Sequence, residues 1–299
     1  MAFWKSNKSQ SDRPVAVLGA GVLGRRIGES IFAAALQSST IANSLFLGCV
    51  WASGGYNVFV YDPNASQRAE ALDYVQTNIG LYTDKTHQQS CQVEATDCMT
   101  KAVQNAWLVI ECIPENLQAK IKVFADLESA TPPDAILATN SSSYRSSEML
   151  EQVTEPTKAR VLNMHYYMPP GTMVVELMTC GFTDPDIIKF LTARSKEVGT
   201  IPYVARREST GFIFNRLWAA VKRETLTILA EGVSEPEEID SMWNEMFVKG
   251  ASLPCATMDG TFFTFLLKIL QLGSLHGSCW TGYGRLHRES LHRRARALL

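Results

Sequence analysis

The sequence predicts an α/β fold: a sheet domain followed by a smaller all-helical domain. Three observations carry this expectation. An apolar run, Val15–Leu18, ends in Gly19-Ala20-Gly21-Val22-Leu23-Gly24. Strand-like apolar runs then alternate with amphipathic stretches of helical period, and from Gly211 onward the pattern is helical.

The opening reads as strand, tight turn and helix start. Gly19, Gly21 and Gly24 let the backbone approach a pyrophosphate, which the free N–H groups and dipole of a helix N-terminus hold. A second run, Val58-Phe59-Val60-Tyr61, ends in Asp62, an acid placed to accept both ribose hydroxyls of NAD and to repel the 2′-phosphate of NADP. The expected cofactor is therefore NAD. "WLVIECIPE" (107–115) is a buried strand running into a loop, and "NLQAKIKVFADLESA" puts Leu117, Ile121, Phe124 and Leu127 on one helical face. "AILATNSSS" is a strand ending in a polar loop, with "RVLNMHYYMPP" and "MVVELM" as further strands. A helix over 186–198 and the run "IPYVAR" follow. "GFIFNRLWAAVKRETLTILAEG" is one long amphipathic pattern, and Ser234 with Glu237 forms a capping-box signature for another helix. The boundaries read as 14–207 for the sheet domain, 208–259 for a partial helical domain and 260–299 for a tail of different character.

Composition narrows the partners. The chain is 46% hydrophobic and 19% charged with a net charge of -2, which gives no reason to expect nucleic acid or an anionic membrane. Seven scattered cysteines without a C-x-x-C pair read as reduced thiols, so no metal site and no disulfide frame is expected. The polar start lacks a secretory apolar run, and the apolar stretches are interrupted or too short for a bilayer. These features point to a cytoplasmic protein.

Three polar groups stand where ligands collect in open α/β sheets: the serines after Asn140, His165 in "NMHYYMPP", and Asn215 in "GFIFNR". Glu176 lies on the strand after His165. An imidazole that takes a hydroxyl proton as hydride leaves carbon, with a carboxylate orienting it, is the chemistry of alcohol oxidation. A serine hydroxyl and an asparagine amide can hold the oxygen as it becomes a carbonyl.

In order, "AVLGAGVLGRRIG", "VFVYD", "VIECIPENLQAKIKVFADLE", "ATNSSS", "MHYYMPP" and "GFIFNR" resemble the 3-hydroxyacyl-CoA dehydrogenase family over roughly residues 14–259. The resemblance implies a Rossmann-like NAD-binding domain, a helical C-terminal domain through which the intact protein forms a homodimer, and an acyl-CoA substrate in fatty acid metabolism. It implies His165 as catalytic base, Glu176 as its partner, Ser142 and Asn215 as substrate contacts, and Glu115 and Lys120 near the nicotinamide. The family commonly has H-F-F-N-P where this chain has Met168 in place of the asparagine, and the His–Glu spacing is slightly short. Both departures bear on acyl-chain preference. A non-CoA hydroxy acid as substrate, of sugar-acid type, and a non-catalytic NAD-binding relative are the alternatives.

Between the glycine turn and Asp62 lies more chain than one crossover helix needs. Deleting residues 29–48 leaves "GRRIG-CVWASGGYNVFVYD", a continuous helix with the acid roughly twenty residues after the turn. Permitted codons around this segment include splice donor, branch-point and acceptor sequences, so it reads as a retained intron. A second, frame-shifting one reads at the start of the tail. One permitted codon set for 279–297, read from the second base, gives the family-like "VGLDTVAFIESHYIEERE". The arginine-rich tail is then an accident of frame, and peroxisomal or mitochondrial addresses stay open. On this reading residues 29–48 are expected to be extruded or poorly packed.

Overall fold

The computed structural model describes residues 13–20, 43–86 and 90–250. Gly21, Gly24, most of the 29–48 segment and the tail after Gly250 lie outside them. The chain divides into two compact units, Met1–Trp218 and Ala219–Leu299.

The first unit holds an eight-stranded sheet in the order β3-β2-β1-β4-β5-β6-β7-β8. Its strands are β1 (Val15–Leu18), β2 (Val58–Tyr61), β3 (Val93–Thr96), β4 (Leu108–Glu111), β5 (Ile136–Thr139), β6 (Val161–Tyr166), β7 (Val174–Thr179) and β8 (Ile201–Ala205). All neighbours pair in parallel except β6 and β7, which are antiparallel. The order turns back between β1 and β4, so a crevice opens beyond their carboxyl ends.

The helices are α1 (Asn43–Ser53), α2 (Ala65–Asn78), α3 (Gly80–Thr86), α4 (Met99–Val103), α5 (Leu117–Ala130), α6 (Glu155–Lys158) and α7 (Pro185–Glu197). Successive strand residues point to opposite faces. Val15, Val17, Leu108 and Ile110 therefore pack with α1 and with Ile187 and Leu191 of α7. Ala16, Leu18, Val109 and Leu137 pack on the other face with Phe124 and Leu127 of α5. The apolar face expected for α5 is buried, with Lys120 on it. Asn116 caps this helix by accepting from the Ala119 N–H at 3.0 Å.

α1 corrects one expectation. The end of the 29–48 segment is not extruded, because Phe46 and Leu47 are buried in the first core cluster beside Val50 and Trp51. The physical reason lies in side-chain type. "SLFLG" offers the sheet an apolar face in the register where "GRRIG" would precede Cys49, and burying a Phe and a Leu yields about 1.5–3 kcal/mol each. Residues 29–42 fall outside the description.

α8 (Phe214–Ala230) begins in the first unit and runs into the second, where α9 (Pro236–Trp243) and a π-helical turn (Asn244–Lys249) follow. The capping box expected from Ser234 and Glu237 does not form. Proline at the first turn starts α9 after Glu235, and the Ser234 hydroxyl donates instead to Glu238 at 2.9 Å. α2, α3, β3 and α4 had drawn no sequence reading.

Candidate active site

The described start of the glycine turn is held by β4 on one side and by Asp62 on the other. Gly19 has φ +98, and a Cβ there would come within 2.8 Å of the Cys112 carbonyl oxygen, so only glycine fits against the end of β4. Asp62, buried at the tip of β2, accepts from the Ala20 N–H at 2.8 Å and from the Asn64 N–H at 2.8 Å. Each carboxylate oxygen keeps a lone pair, so the residue can tie down the turn and still accept ribose hydroxyls. On these two observations the described part of the turn fits a dinucleotide. Gly21 and Gly24 lie outside the description.

At the end of β4 a buried ion pair stands that sequence reasoning missed. Glu111 and Lys120 are essentially without solvent contact, with Nζ 2.7 Å from Oε1. Thr139 donates to Glu111 at 2.6 Å and the Ile113 N–H at 2.7 Å, which satisfies both oxygens. A glutamate closing an otherwise apolar strand, nine residues before a lysine on the buried helix face, was the available signal. Lys120 also lies 3.5 Å from Glu115. Glu115 in turn accepts from the Ser141 hydroxyl at 2.8 Å and the Ser142 N–H at 3.0 Å. Glu115, Lys120 and Ser142 are thus brought together. Ser141, the first of the serines after Asn140, supplies the hydroxyl bond, and Ser142 its backbone N–H.

His165 and Glu176 are direct register partners across the antiparallel β6–β7 pair, so their side chains share a face. The imidazole is 8% exposed and its Nδ1 is buried without a hydrogen-bond partner. Burial pushes its pKa down to about 4, against the opposing pull of Glu176 and Glu115. Phe212 stacks on the ring at 5.0 Å and 15°, while Tyr167 meets it edge-on at 4.6 Å.

Glu176 spends its oxygens elsewhere. Oε2 accepts from the Ile213 N–H at 2.7 Å, and Oε1 from the Phe214 N–H at 2.9 Å and the Tyr167 hydroxyl at 2.8 Å. The carboxylate thus caps α8, where free N–H groups and the helix dipole favour negative charge. Asn215 sits in that first turn. Burial and then the carboxylate raise the Tyr167 phenol, which keeps it a proton donor. Tyr167 and Phe212 had no sequence reading of their own.

The family's model for "3-hydroxyacyl-CoA dehydrogenase, NAD binding domain" matches residues 46–209, and its C-terminal domain model matches 211–258. The chain belongs to the 3-hydroxyacyl-CoA dehydrogenase family. Members are NAD-dependent oxidoreductases. The chain is 50% identical over 107 residues to the 3-hydroxyacyl-CoA dehydrogenase-like protein LAM1 of Cochliobolus heterostrophus, a match covering 36% of this chain and 22% of that protein. It is 27% identical to the human lambda-crystallin homolog over 77% of this chain and 68% of that one. It is 28% identical to the 3-hydroxyadipyl-CoA dehydrogenase of Escherichia coli over 83% of this chain and 48% of that one. A solved 5-formyl-3-hydroxy-2-methylpyridine 4-carboxylic acid 5-dehydrogenase superposes with a TM-score of 0.68 at 21% identity, covering 96% of each chain, a likeness of fold. Among the described residues no helix is long and apolar enough to cross a membrane, and no cluster of three His, Cys, Asp or Glu could hold a metal.

Proposed function

We propose that this chain is an NAD-dependent dehydrogenase that oxidises the 3-hydroxyl of a short-chain 3-hydroxyacyl-CoA to the ketone, with His165 as general base. The observation that carries the reading is His165 itself, a buried imidazole with a free Nδ1 directly across the strand pair from Glu176. NAD, when bound, supplies the hydride acceptor. Gly19 and Asp62 belong to the turn that would hold it, with Glu115 and Lys120 toward the nicotinamide.

An imidazole held neutral by burial is ready to accept a proton at any pH above its depressed value. Glu176 and Glu115 both favour the imidazolium once it forms, and Glu176 does so from a buried position where water screens it little. Ser142, beside Glu115, and Asn215, in the first turn of α8, are assigned to the substrate oxygen. In this reading the intact protein is a cytoplasmic homodimer that works on fatty acyl thioesters.

The test is nicotinamide absorbance with 3-hydroxybutyryl-CoA. Turnover should occur and His165→Ala should lower kcat by at least about a hundredfold, the usual worth of a general base. Undiminished turnover in that variant would remove His165 from the role. A second reading is a non-CoA hydroxy acid, and Met168, standing where the family commonly has asparagine, leaves the acyl-chain preference open. This reading draws on a 28% identical relative in Mesorhizobium japonicum, named for a pyridine carboxylate substrate. Comparing turnover of the free acid with that of the thioester separates the two.

A further inference from the structure

Glu176 faces His165 across the strand pair, yet its hydrogen bonds run to Tyr167, Ile213 and Phe214. Nδ1 of the imidazole is left buried and unpartnered. An orphaned buried polar atom beside a buried carboxylate is costly, and the obvious remedy is a bond between them. The ring cannot turn away to find another partner. Phe212 covers one face at 5.0 Å, and the Tyr167 ring abuts its edge at 4.6 Å. Phe212 holds that position at φ +55, a left-handed conformation costly for a bulky residue, so the surroundings enforce the stack.

Two of the three donors to Glu176 are backbone N–H groups at the start of α8 and cannot leave while that helix keeps its first turn. The third is the Tyr167 hydroxyl. It is the single side-chain donor to Glu176 among the described residues, and it sits on Oε1. We propose that Tyr167 is a positioning residue for His165: its hydroxyl holds the Glu176 carboxylate on the α8 side, so that the proton affinity of the imidazole is set by whether this bond is made. With the bond intact the carboxylate acts on the imidazole through its charge and not through a hydrogen bond to Nδ1. With it absent, the carboxylate loses the side-chain anchor that holds it toward α8 and can turn to meet Nδ1, and a directly paired carboxylate favours the imidazolium.

The charged groups facing the ring are Glu176 on β7 and Glu115 in the loop after β4, with Tyr167 the titratable neighbour on its own segment. Glu115 is engaged by Ser141, Ser142 and Lys120 and does not change in the test. Burial dominates the ring's depressed proton affinity, which leaves room for a pairing to raise it.

The inference rests on His165 being the base, but its test does not need turnover. The histidine rings, five in the chain, are labelled with nitrogen-15 and titrated by NMR, with His165 assigned by its loss in His165→Phe. Tyr167→Phe keeps the ring edge and removes the hydroxyl. The His165 midpoint should rise by about one pH unit, a tenfold gain in proton affinity. Adding Glu176→Gln should cancel that rise. An unchanged midpoint in Tyr167→Phe, or a rise that survives Glu176→Gln, overturns the proposal. Should Tyr167→Phe fold poorly, Tyr167→Met also lacks the hydroxyl and must give the same rise. In turnover, the acid limb of kcat/KM should move by the same amount. A chain that titrates as stated but never turns over defeats the dehydrogenase reading and leaves this inference standing.

Discussion

Among the described residues two glutamates are buried on strands of this sheet, and they are neutralised in opposite ways. Glu111, on β4, has the Lys120 ammonium at 2.7 Å in addition to its neutral donors. Glu176, on β7, has one phenol and two backbone N–H groups. A counter-charge at contact distance leaves a carboxylate little to offer a second cation. A carboxylate held by dipoles alone keeps its field for a charge that arises nearby. Glu111 is thus held as one half of an ion pair, and Glu176 as a carboxylate whose charge no cation at contact distance cancels.

The sharpest way to break this contrast is Lys120→Met, which leaves Glu111 buried without its cation. It should cost about 3–5 kcal/mol, read as a fall in the denaturant midpoint. Glu111→Leu together with Lys120→Met should recover much of that loss, because the uncompensated charge is gone.

Acidification tests the other site. The folded His165 imidazole binds its proton near pH 4, below the ordinary 6.5 of an unfolded chain. Between those values the unfolded state holds more protons, so stability falls as pH drops through the window, by about 3 kcal/mol in all. His165→Phe should lack this component when unfolding curves at pH 7 and pH 5 are compared.

The nucleotide end supplies the next comparison. α1 begins at Asn43, whereas joining Gly28 to Cys49 would carry the glycine turn straight into the helix that packs on β1 and β2. Removing residues 29–48 should tighten NAD binding by at least about tenfold, or 1.4 kcal/mol, by calorimetric titration. An unchanged Kd would show that the segment costs the turn nothing. The smallest expected effect is at Met168, half exposed at φ +54. Met168→Asn should stabilise by about 1 kcal/mol, since asparagine tolerates the left-handed region better.

Much of this was legible because it is written locally. The Gly19 turn, Asp62 after β2 and the α5 face announce themselves within a few residues, since glycine, a strand-ending acid and helical period each have one physical use there. His165 and Glu176 could be singled out for the same reason. The hydrogen bonds of Glu176 could not. Two of its donors lie 37 and 38 residues ahead, on the first turn of α8, and only the folded chain brings them back. The Phe212 stack depends on a backbone twist that aromatic sequence does not signal. The packing of Phe46 and Leu47 went unseen because a segment read as foreign can still present apolar side chains in a usable register.

The β6–β7 connection joins the antiparallel pair of this sheet, and there register decides which side chains face each other. A parallel crossover can lengthen, as the stretch before α1 has, and still deliver its strand to the same slot. The short return from Tyr166 to Val174 sets which residues of the two strands meet. A slip of a single position there would send acid and imidazole to opposite sides of the sheet, with every strand still in place and the pair parted.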